Sequence, residues 1–387
     1  MDFYKQTLER MEQDGLLRHT QAWPGAGGRI ALTDGQTLLN FSSNDYLGLA
    51  SHSHVKQRAR EALDVYGCSA SASRLMCGTL DLHEQLEAAL ARLVGTETAL
   101  LFGTGFSMNV GILASLAGPS DTIFSDRLIH ASLIDGARLS RANISRFAHN
   151  GDTALARLLE KAPTTGRRIV ISESVFSMDG DIAPVAALCT LAKAHGAVLL
   201  LDEAHAIGVF GQGAGVCAEV GGEPQPDFLV GTLGKALGSA GGFVACSRVC
   251  REYLINRTRS FIYSTAPPPP SVGAALGALE CIEQDPEMGA RLLGQARDFH
   301  ARLAGEGLRV LPFHSQIVPI MVGENRAALE LAACLRERGM LATAIRPPTV
   351  PEGSARIRLS VTLSHTPAEL AWAAEQIGQA ARDMGLS

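Results

Sequence analysis

The middle of the chain alternates short apolar runs with segments of helical composition. Seven runs of strand length occur between residues 98 and 246, at 98–102, 122–125, 144–148, 168–172, 197–201, 228–232 and 242–246. Segments long enough for crossover helices separate most of them, which is typical of a mostly parallel sheet with helices on both faces. In such sheets ligands bind beyond the carboxyl ends of the strands. The pattern predicts an α/β fold with a functional site at that edge.

The two flanks of this region have patterns of their own. Residues 2–21 are expected to form a helix, and 29–33 and 37–41, joined through Asp34 and Gly35, a β-hairpin. Four prolines at 267–270 mark a boundary, because proline disrupts helix interiors and central strands. Beyond them, the pattern predicts helices at 271–283, 287–305, 326–338 and from 367, and strands near 317–322, 341–346 and 355–363.

These elements predict three parts of the chain: an N-terminal helix and hairpin segment at 1–50, a large domain at 51–270 and a smaller α+β domain at 271–387. The length of 387 residues and the hydrophobic content of 46% are sufficient for two cores.

Charge and composition exclude several classes of partner. A net charge of -5 provides no basic field for nucleic acid or an anionic membrane. No apolar run approaches the roughly 18 residues of a membrane span, and residues 1–6 contain no hydrophobic signal region. We therefore expect a cytoplasmic protein without membrane or nucleic-acid partners. The eight cysteines form no Cys-x-x-Cys pair and no zinc-type spacing, so no metal site is predicted.

Lysine is rare, and one lysine has an unusual setting. Only five lysines occur, at positions 5, 56, 161, 193 and 235. The first four have polar or charged neighbours, whereas Lys235 lies between Gly231, Leu233 and Gly234 on one side and Ala236, Leu237 and Gly238 on the other. Desolvation there eases deprotonation of the amine, so Lys235 is a candidate to hold pyridoxal phosphate as a Schiff base.

Asp202 ends the apolar run 198–201 and is the candidate partner of the cofactor's ring nitrogen. A carboxylate there keeps the ring protonated and electron-poor. The alternative is that Asp202 only caps the following turn; the presence of Lys235 favours the cofactor. His205 is either a donor to the cofactor's phenolic oxygen or a core histidine whose hydrogen bonds are made within the protein.

Other candidates also follow predicted strands. The segment 101–107 places Gly103 and Gly105 at the start of a helix, which suits either a phosphate or an ordinary turn. His130 offers a ring for stacking, and Ser177 lies in a turn-prone loop. Arg356 and Arg358 share one face of a strand, either an exposed face or a grip on a substrate carboxylate.

Three competing motifs fail at one or two required positions. Met108 breaks the dinucleotide-binding glycine pattern, and Asn109 breaks a nucleophile elbow around Ser107. Leu229 and Ala236 break a Walker loop ending at Lys235.

Four segments together resemble the α-oxoamine synthases: 44–49, 176–181, 202–205 with Gly208 and Gly211, and 232–236. The resemblance spans almost the whole chain in order. It implies a fold-type I pyridoxal-phosphate enzyme that condenses an amino acid with an acyl thioester and releases carbon dioxide. The segment 345–351 is similar to the branch that joins L-alanine to a pimeloyl thioester, on coenzyme A or a carrier protein, in biotin biosynthesis. Residues 69–73 depart from the glycine-rich pattern of many members.

The resemblance also implies roles for individual residues. Lys235 would form the Schiff base and move the substrate Cα proton, with Asp202 at the ring nitrogen, His205 and Ser177 at the phenolic oxygen and His130 stacked on the ring. The phosphate would be held by Gly105, Phe106 and Thr232, and by Ser264 and Thr265 of the partner subunit in a homodimer. The residues implied to meet substrate are Arg18, Asn44, His130, Thr349 and Arg358.

Three rival functions remain open from the sequence. A sister synthase would use glycine, serine or another acyl chain, and only the 345–351 segment argues against it. A fold-type I aminotransferase or aldolase would need no acyl-thioester channel. A pyridoxal-binding transcription regulator would add a basic helix-turn-helix domain, and no spare segment for one is present.

Overall fold

A computed structural model describes residues 1–32, 35–163 and 165–386. The helices are α1 Asp2–Gln13, α2 Ser53–Tyr66, α3 Asp81–Val94, α4 Gly105–Leu116, α5 Ala131–Ser140, α6 Asp152–Glu160, α7 Val185–Ala194, α8 Val216–Val220, α9 Arg248–Arg257, α10 Arg259–Ile262, α11 Pro269–Gln284, α12 Met288–Gly305, α13 Asn325–Glu337 and α14 Pro367–Asp383.

The strands are β1 Arg29–Ala31, β2 Thr37–Asn40, β3 Thr98–Phe102, β4 Thr122–Asp126, β5 Asn143–Phe147, β6 Arg168–Glu173, β7 Val198–Asp202, β8 Phe228–Thr232, β9 Gly242–Cys246, β10 Ile317–Gly323, β11 Met340–Leu341, β12 Thr343–Ile345 and β13 Ala355–Ser360. All seven strands predicted between residues 98 and 246 are present within one or two residues of their expected bounds.

The described residues form two compact units. One comprises Leu49–Phe176 and Ile182–Ala290, and we call it the sheet unit; the other comprises Met1–Gly48, Ser177–Asp181 and Arg291–Ser387, and we call it the terminal unit. The division into 1–50, 51–270 and 271–387 stays a prediction.

The sheet unit contains a seven-stranded sheet with the order β3-β9-β8-β7-β6-β4-β5. Strands β5, β4, β6, β7 and β8 run parallel to one another, and only β9, between β8 and β3, runs antiparallel to its neighbours. The prediction of a mostly parallel sheet is confirmed. Central strands such as β7 are apolar and buried along almost their whole length, because helices cover both faces.

The topology brings the ends of all seven strands to one edge of this sheet. The carboxyl ends of β3, β4, β5, β6, β7 and β8 lie there, together with the beginning of β9. Polar or glycine-rich segments follow these ends, so side chains far apart in sequence meet at the edge.

The terminal unit contains two small sheets. In one, β13 lies between β10 and β12 with antiparallel pairing to both. In the other, β2 pairs antiparallel with β1 and parallel with β11. Every residue of β13 is buried, including Arg356 and Arg358, so the alternative of an exposed arginine face is wrong.

Three local predictions need correction or restriction. The first helix ends at Gln13, well before residue 21, because Gly15 adopts a left-handed conformation that terminates it. Pro269 and Pro270 do not precede a helix but open α11, where a missing N–H costs no intrahelical bond. The strands of the predicted hairpin pair as expected, whereas its turn at Asp34 and the strand end at Thr33 lie outside the described residues.

Within the described ranges, no helix has the combination of length and apolarity that crossing a membrane requires.

Gly242 at the start of β9 permits a close backbone approach by α4. A Cβ atom at this position would lie 2.7 Å from Gly105 Cα and 2.9 Å from Gly105 N. We expect Gly242→Ala to lower the free energy of unfolding by about 1–3 kcal/mol, because backbone atoms have to move. Urea titration of the full-length protein measures this.

Gly294 in α12 is the matched control, since a Cβ there meets nothing within 4 Å. Gly294→Ala should leave stability unchanged or raise it by up to about 1 kcal/mol, as in other helix interiors. Equal effects of the two substitutions would contradict the packing argument.

Candidate active site

A cavity of about 150 Å³ lies at the carboxyl edge of the seven-stranded sheet. Its lining includes seven residues selected from the sequence: Gly105, Phe106, His130, Asp202, His205, Thr232 and Lys235. It also includes polar residues that were not selected: Asn109, Ser132 and Glu173. The parallel topology therefore gathers the expected amine, carboxylate and imidazole groups in one place.

Lys235 and His205 are in direct contact in this cavity. Lys235 Nζ lies 2.7 Å from His205 Nε2, a hydrogen-bonding distance. An ammonium group and a doubly protonated imidazole are both donors only, so the contact requires one of the two nitrogens to supply a lone pair. One nitrogen of the pair therefore donates a hydrogen bond to the other, as suits an amine that alternates between nucleophile and base.

Asp202 is held from two elements at the end of β7. Its Oδ1 accepts the Ala204 N–H at 2.9 Å, which is the turn contact considered as the alternative role. Its Oδ2 accepts a hydrogen bond from Asn109 Nδ2 on α4 at 2.8 Å. The side chain is buried, and these two hydrogen bonds fix the position of both oxygens.

Glu173 places a second carboxyl group beside Asp202. The two residues are register partners on the neighbouring strands β6 and β7, and Glu173 is buried. Glu173 Oε1 accepts the backbone N–H of His130. Burial, followed by the negative charge of Asp202, raises the pKa of Glu173 to about 8. Glu173 is therefore mostly neutral at pH 7, and the negative charge of this carboxyl pair is concentrated on Asp202.

His130 caps the N-terminus of α5 with its ring. Ring Nδ1 accepts the Ser132 N–H at 3.2 Å, and the Phe106 ring meets the imidazole edge to face at a centroid distance of 6.4 Å. Burial lowers the pKa of His130 and the charge of Lys235 lowers it further, while Asp202 acts in the opposite direction. The ring is neutral at pH 7.

The N-terminus of α4 forms one wall of the cavity. Thr104 caps this helix by accepting the Ser107 N–H at 3.1 Å, whereas the N–H groups of Gly105 and Phe106 belong to the first turn and have no intrahelical acceptor. Thr232 Oγ1 accepts the Gly234 N–H at 3.2 Å and donates to Gly241 O at 3.0 Å. The N–H groups of Gly105 and Phe106 suit a phosphate group, whereas the hydrogens of Thr232 Oγ1 and Gly234 N are already donated within the protein.

These groups fit pyridoxal phosphate. The cavity offers an amine for its aldehyde, a buried carboxylate for its ring nitrogen and a helix N-terminus for its phosphate. Asn109, which also lines the cavity, has a buried Oδ1 that accepts no hydrogen bond from any described residue. A buried acceptor without a donor is consistent with a cavity that holds a polar group.

Five other predicted residues belong to the terminal unit. Arg358 donates to Ser177 O at 2.6 Å, to Asn44 Oδ1 at 3.2 Å, to Ser360 Oγ at 2.8 Å and to Tyr46 Oη at 3.3 Å. These bonds fix the guanidinium plane. The neighbouring Arg356 forms an ion pair with Asp179, so both arginines contact the Ser177–Asp181 segment.

Arg18 and Thr349 are both exposed in the terminal unit. Arg18 donates to Pro347 O at 3.1 Å, and the Thr349 N–H donates to Arg346 O at 3.1 Å. The hydrogen bond from Arg18 thus connects the segment 345–351 to the part of the chain around Arg18.

Ser264 and Thr265 are exposed in the sheet unit, and among the described residues neither belongs to the lining of the cavity. Their contribution to a partner subunit stays a prediction.

The residues missed from the sequence had signals of different strength. Glu173 follows the apolar run 169–172 just as Asp202 follows its own, so the same rule would select it. Asn109 is an amide inside the apolar helix α4, a weaker signal. Ser132 had no distinguishing signal, because serine is common in the first turn of a helix.

Comparison with known proteins gives consistent matches over most of the chain. Residues 36–377 match the aminotransferase class I and II family. The chain is 44% identical to an 8-amino-7-oxononanoate synthase from Trichlorobacter lovleyi, over 100% of this chain and 99% of that protein.

Two solved structures are similar as well. Serine palmitoyltransferase from S. paucimobilis, with a bound PLP–myriocin aldimine, superposes with a TM-score of 0.93 at 31% identity, covering 100% of this chain and 98% of that one. An 8-amino-7-oxononanoate synthase from Francisella tularensis gives a TM-score of 0.77 at 29% identity, covering 90% of this chain and 99% of that one. The fold is that of the fold-type I pyridoxal-phosphate transferases.

The neutral state of Glu173 has a measurable effect on stability. Its pKa is raised from 4.5 to about 8 in the folded chain, so its contribution to stability is complete below about pH 4.5 and is lost as the pH rises through about 8. From about pH 5 to about pH 8, the wild type should lose up to about 1 kcal/mol per pH unit relative to Glu173→Gln, which mimics the protonated acid. Urea unfolding of the cofactor-free chain across this range measures the difference.

Glu330→Gln, at an exposed position on α13, is the control and should follow the wild-type pH dependence. Parallel stability curves for the wild type and Glu173→Gln would mean that Glu173 is ionised in the folded protein.

Proposed function

The chain belongs to the class I and II aminotransferase family, and we propose that it condenses L-alanine with a pimeloyl thioester to give 8-amino-7-oxononanoate, carbon dioxide and free thiol. It is an acyltransferase whose cofactor is pyridoxal 5′-phosphate. The names of its relatives support a role in biotin biosynthesis.

One observation carries the proposal. Lys235 Nζ contacts His205 Nε2 in the same cavity as the buried Asp202 and the N-terminus of α4, in a chain whose similarity to the synthase from Trichlorobacter lovleyi extends over its full length. The cavity supports the cofactor chemistry, and the similarity supports the choice of substrates.

The proposed reaction balances as a decarboxylative condensation. A bond forms between alanine Cα and the thioester carbonyl carbon while the carbon–sulfur bond breaks and the thiol leaves. The same Cα then loses its carboxyl group as carbon dioxide and takes up a proton. When bound, pyridoxal phosphate supplies an electron-poor ring that accepts the electron pair left on Cα.

We assign the proton transfers to Lys235 and His205. Lys235 would hold the cofactor through Nζ, and the same amine, when free, would remove the substrate Cα proton. The 2.7 Å contact with His205 Nε2 supports this role, because it provides a partner for the proton that Nζ gains or loses.

Asp202 is proposed to hold a proton on the ring nitrogen, and the neutral Glu173 leaves it as the charged member of the pair. His130 is proposed to stack on the ring, while His205 and Ser177 bind on the side of the phenolic oxygen. Gly105, Phe106 and Thr232 would bind the phosphate, with Ser264 and Thr265 contributed by the partner subunit of a homodimer.

For substrate, we propose Arg358 as the anchor of the amino-acid carboxylate, with Arg18, Asn44 and Thr349 as further contacts. The four hydrogen bonds of Arg358 use four of its five N–H donors, which supports a guanidinium oriented for one further acceptor.

One observation favours a second candidate. Similar solved structures include serine palmitoyltransferases with TM-scores of 0.93 and 0.92, which supports an enzyme that takes serine and a long-chain acyl thioester. The identity of 44% to the 8-amino-7-oxononanoate synthase from Trichlorobacter lovleyi, against 31% to the palmitoyltransferase from S. paucimobilis, makes this the weaker choice.

The covalent role of Lys235 gives a spectroscopic prediction. Purified protein with pyridoxal phosphate should show the visible absorption band of a protonated Schiff base, and Lys235→Ala should lose it. Lys193→Ala, at an exposed position on α7, is the control and should keep the band. Persistence of a reducible Schiff base in Lys235→Ala would assign the cofactor to another amine.

Substrate choice is tested with a panel of four combinations, measured as release of thiol. L-Alanine with pimeloyl-CoA should react at least about tenfold faster, in kcat/KM, than L-serine with palmitoyl-CoA, glycine with acetyl-CoA or L-alanine with palmitoyl-CoA. Mass spectrometry of the amino ketone identifies the product. Preference for L-serine and palmitoyl-CoA would overturn the proposal in favour of the second candidate.

A further inference from the structure

Two buried polar side chains connect His130 to Asp202 inside the sheet unit. Asn109 on α4 and Ser132 on α5 are both buried, on helices that pack against each other. His130 Nδ1 lies 2.8 Å from Ser132 Oγ. Asn109 Nδ2 donates to Ser132 Oγ at 3.0 Å and to Asp202 Oδ2 at 2.8 Å. A continuous hydrogen-bonded chain therefore runs from the imidazole to the carboxylate.

The direction of each hydrogen bond in this chain is fixed by chemistry. The Asp202 carboxylate only accepts, so the Asn109 amide must turn its nitrogen toward it, and this nitrogen has exactly two hydrogens to donate. One hydrogen bonds Asp202 Oδ2 and the other bonds Ser132 Oγ. The reversed amide would place Oδ1 against the carboxylate and leave two acceptors facing each other.

Ser132 Oγ accepts from Asn109, which leaves its own hydrogen for His130 Nδ1. The backbone N–H of Ser132 is a second donor to the same ring nitrogen, at 3.2 Å. A nitrogen that receives two donors carries a lone pair and no proton. The proton of the neutral imidazole therefore belongs on Nε2.

We propose that Asn109 and Ser132 are positioning residues that hold His130 in its Nε2–H form and couple the orientation of this ring to the Asp202 carboxylate. This series of hydrogen bonds begins at Asp202, the residue proposed for the cofactor's ring nitrogen. It ends at His130, the residue proposed to stack on the face of the cofactor ring. Glu173 supports the same arrangement from another side by accepting the backbone N–H of His130. The ring then presents a donor, not an acceptor, on its Nε2 edge.

The charge state of His130 agrees with this assignment. Burial and the charge of Lys235 lower its pKa, while Asp202 and Asp135 oppose that change, so the ring is neutral at pH 7 and has a defined tautomer. The tautomer itself does not depend on the proposed function; only its use in the reaction rests on that proposal.

The test is nuclear magnetic resonance of the full-length chain with ¹⁵N-labelled histidine, with and without pyridoxal phosphate. The His130 signals are assigned by their loss in His130→Gln. We expect Nε2 protonated and Nδ1 unprotonated in the wild type. In Ser132→Ala the ratio of the Nε2–H to the Nδ1–H form should fall about fivefold, because one donor to Nδ1 is lost. Ser132→Thr, which keeps the hydroxyl, should restore the wild-type ratio.

Ser140→Ala is the matched control, since Ser140 is also buried on α5 but donates to Ala137 O at 2.6 Å, within its own helix. It should leave the tautomer ratio of His130 unchanged. Asn109→Ala is a second, independent variant: it frees the Ser132 hydroxyl from its fixed direction and should lower the ratio as well.

An Nδ1–H tautomer in the wild type would overturn the proposal, as would an unchanged ratio in both Ser132→Ala and Asn109→Ala. The two proposals fail separately. If the tautomer responds as expected but L-alanine and pimeloyl-CoA release no thiol, only the proposed function is wrong. If the thiol is released and the tautomer does not respond, only the role of Asn109 and Ser132 is wrong.

Discussion

The buried carboxylate of Asp202 is the constraint on which the rest of the cavity depends. A charge in a buried place is costly unless hydrogen bonds or an opposite charge compensate for it. Here the Ala204 N–H and the Asn109 amide each satisfy one oxygen. Glu173, one strand away, is held neutral by the combination of burial and this charge. The polar groups of the site are therefore arranged around a single negative charge.

The sheet topology makes this arrangement possible and fixes the positions of the side chains. The side chains that line the cavity lie at or just beyond the ends of parallel strands, or near the start of the helices that follow. Backbone hydrogen bonds of the strands and helices fix these positions. The antiparallel β9 contributes through its backbone: Gly242 has no side chain, and this allows α4 to begin directly at the edge. Rigid elements thus hold the N–H donors at the start of α4.

The terminal unit also contains buried charges that need compensation, and here they belong to arginine side chains. Arg356 and Arg358 lie on the central strand of its three-stranded sheet, and both are buried. Their guanidinium groups are compensated by Asp179 and by oxygens of the Ser177–Asp181 segment and of Asn44 and Tyr46. A buried arginine with most of its donors already engaged has a fixed orientation, unlike a mobile surface charge.

The sequence by itself determined the seven strands of the central sheet, its mostly parallel character and the groups Lys235, Asp202, His205 and His130, because strand period and reactive residues at strand ends are local signals. It overestimated the first helix and misplaced the start of α11, where a glycine and two prolines set the ends. Only the tertiary structure showed that Glu173 is mostly neutral beside Asp202 and that Asn109 and Ser132 connect Asp202 to His130 by hydrogen bonds. Protonation and hydrogen-bond direction depend on which groups face each other across different elements, and no local pattern in the chain encodes that.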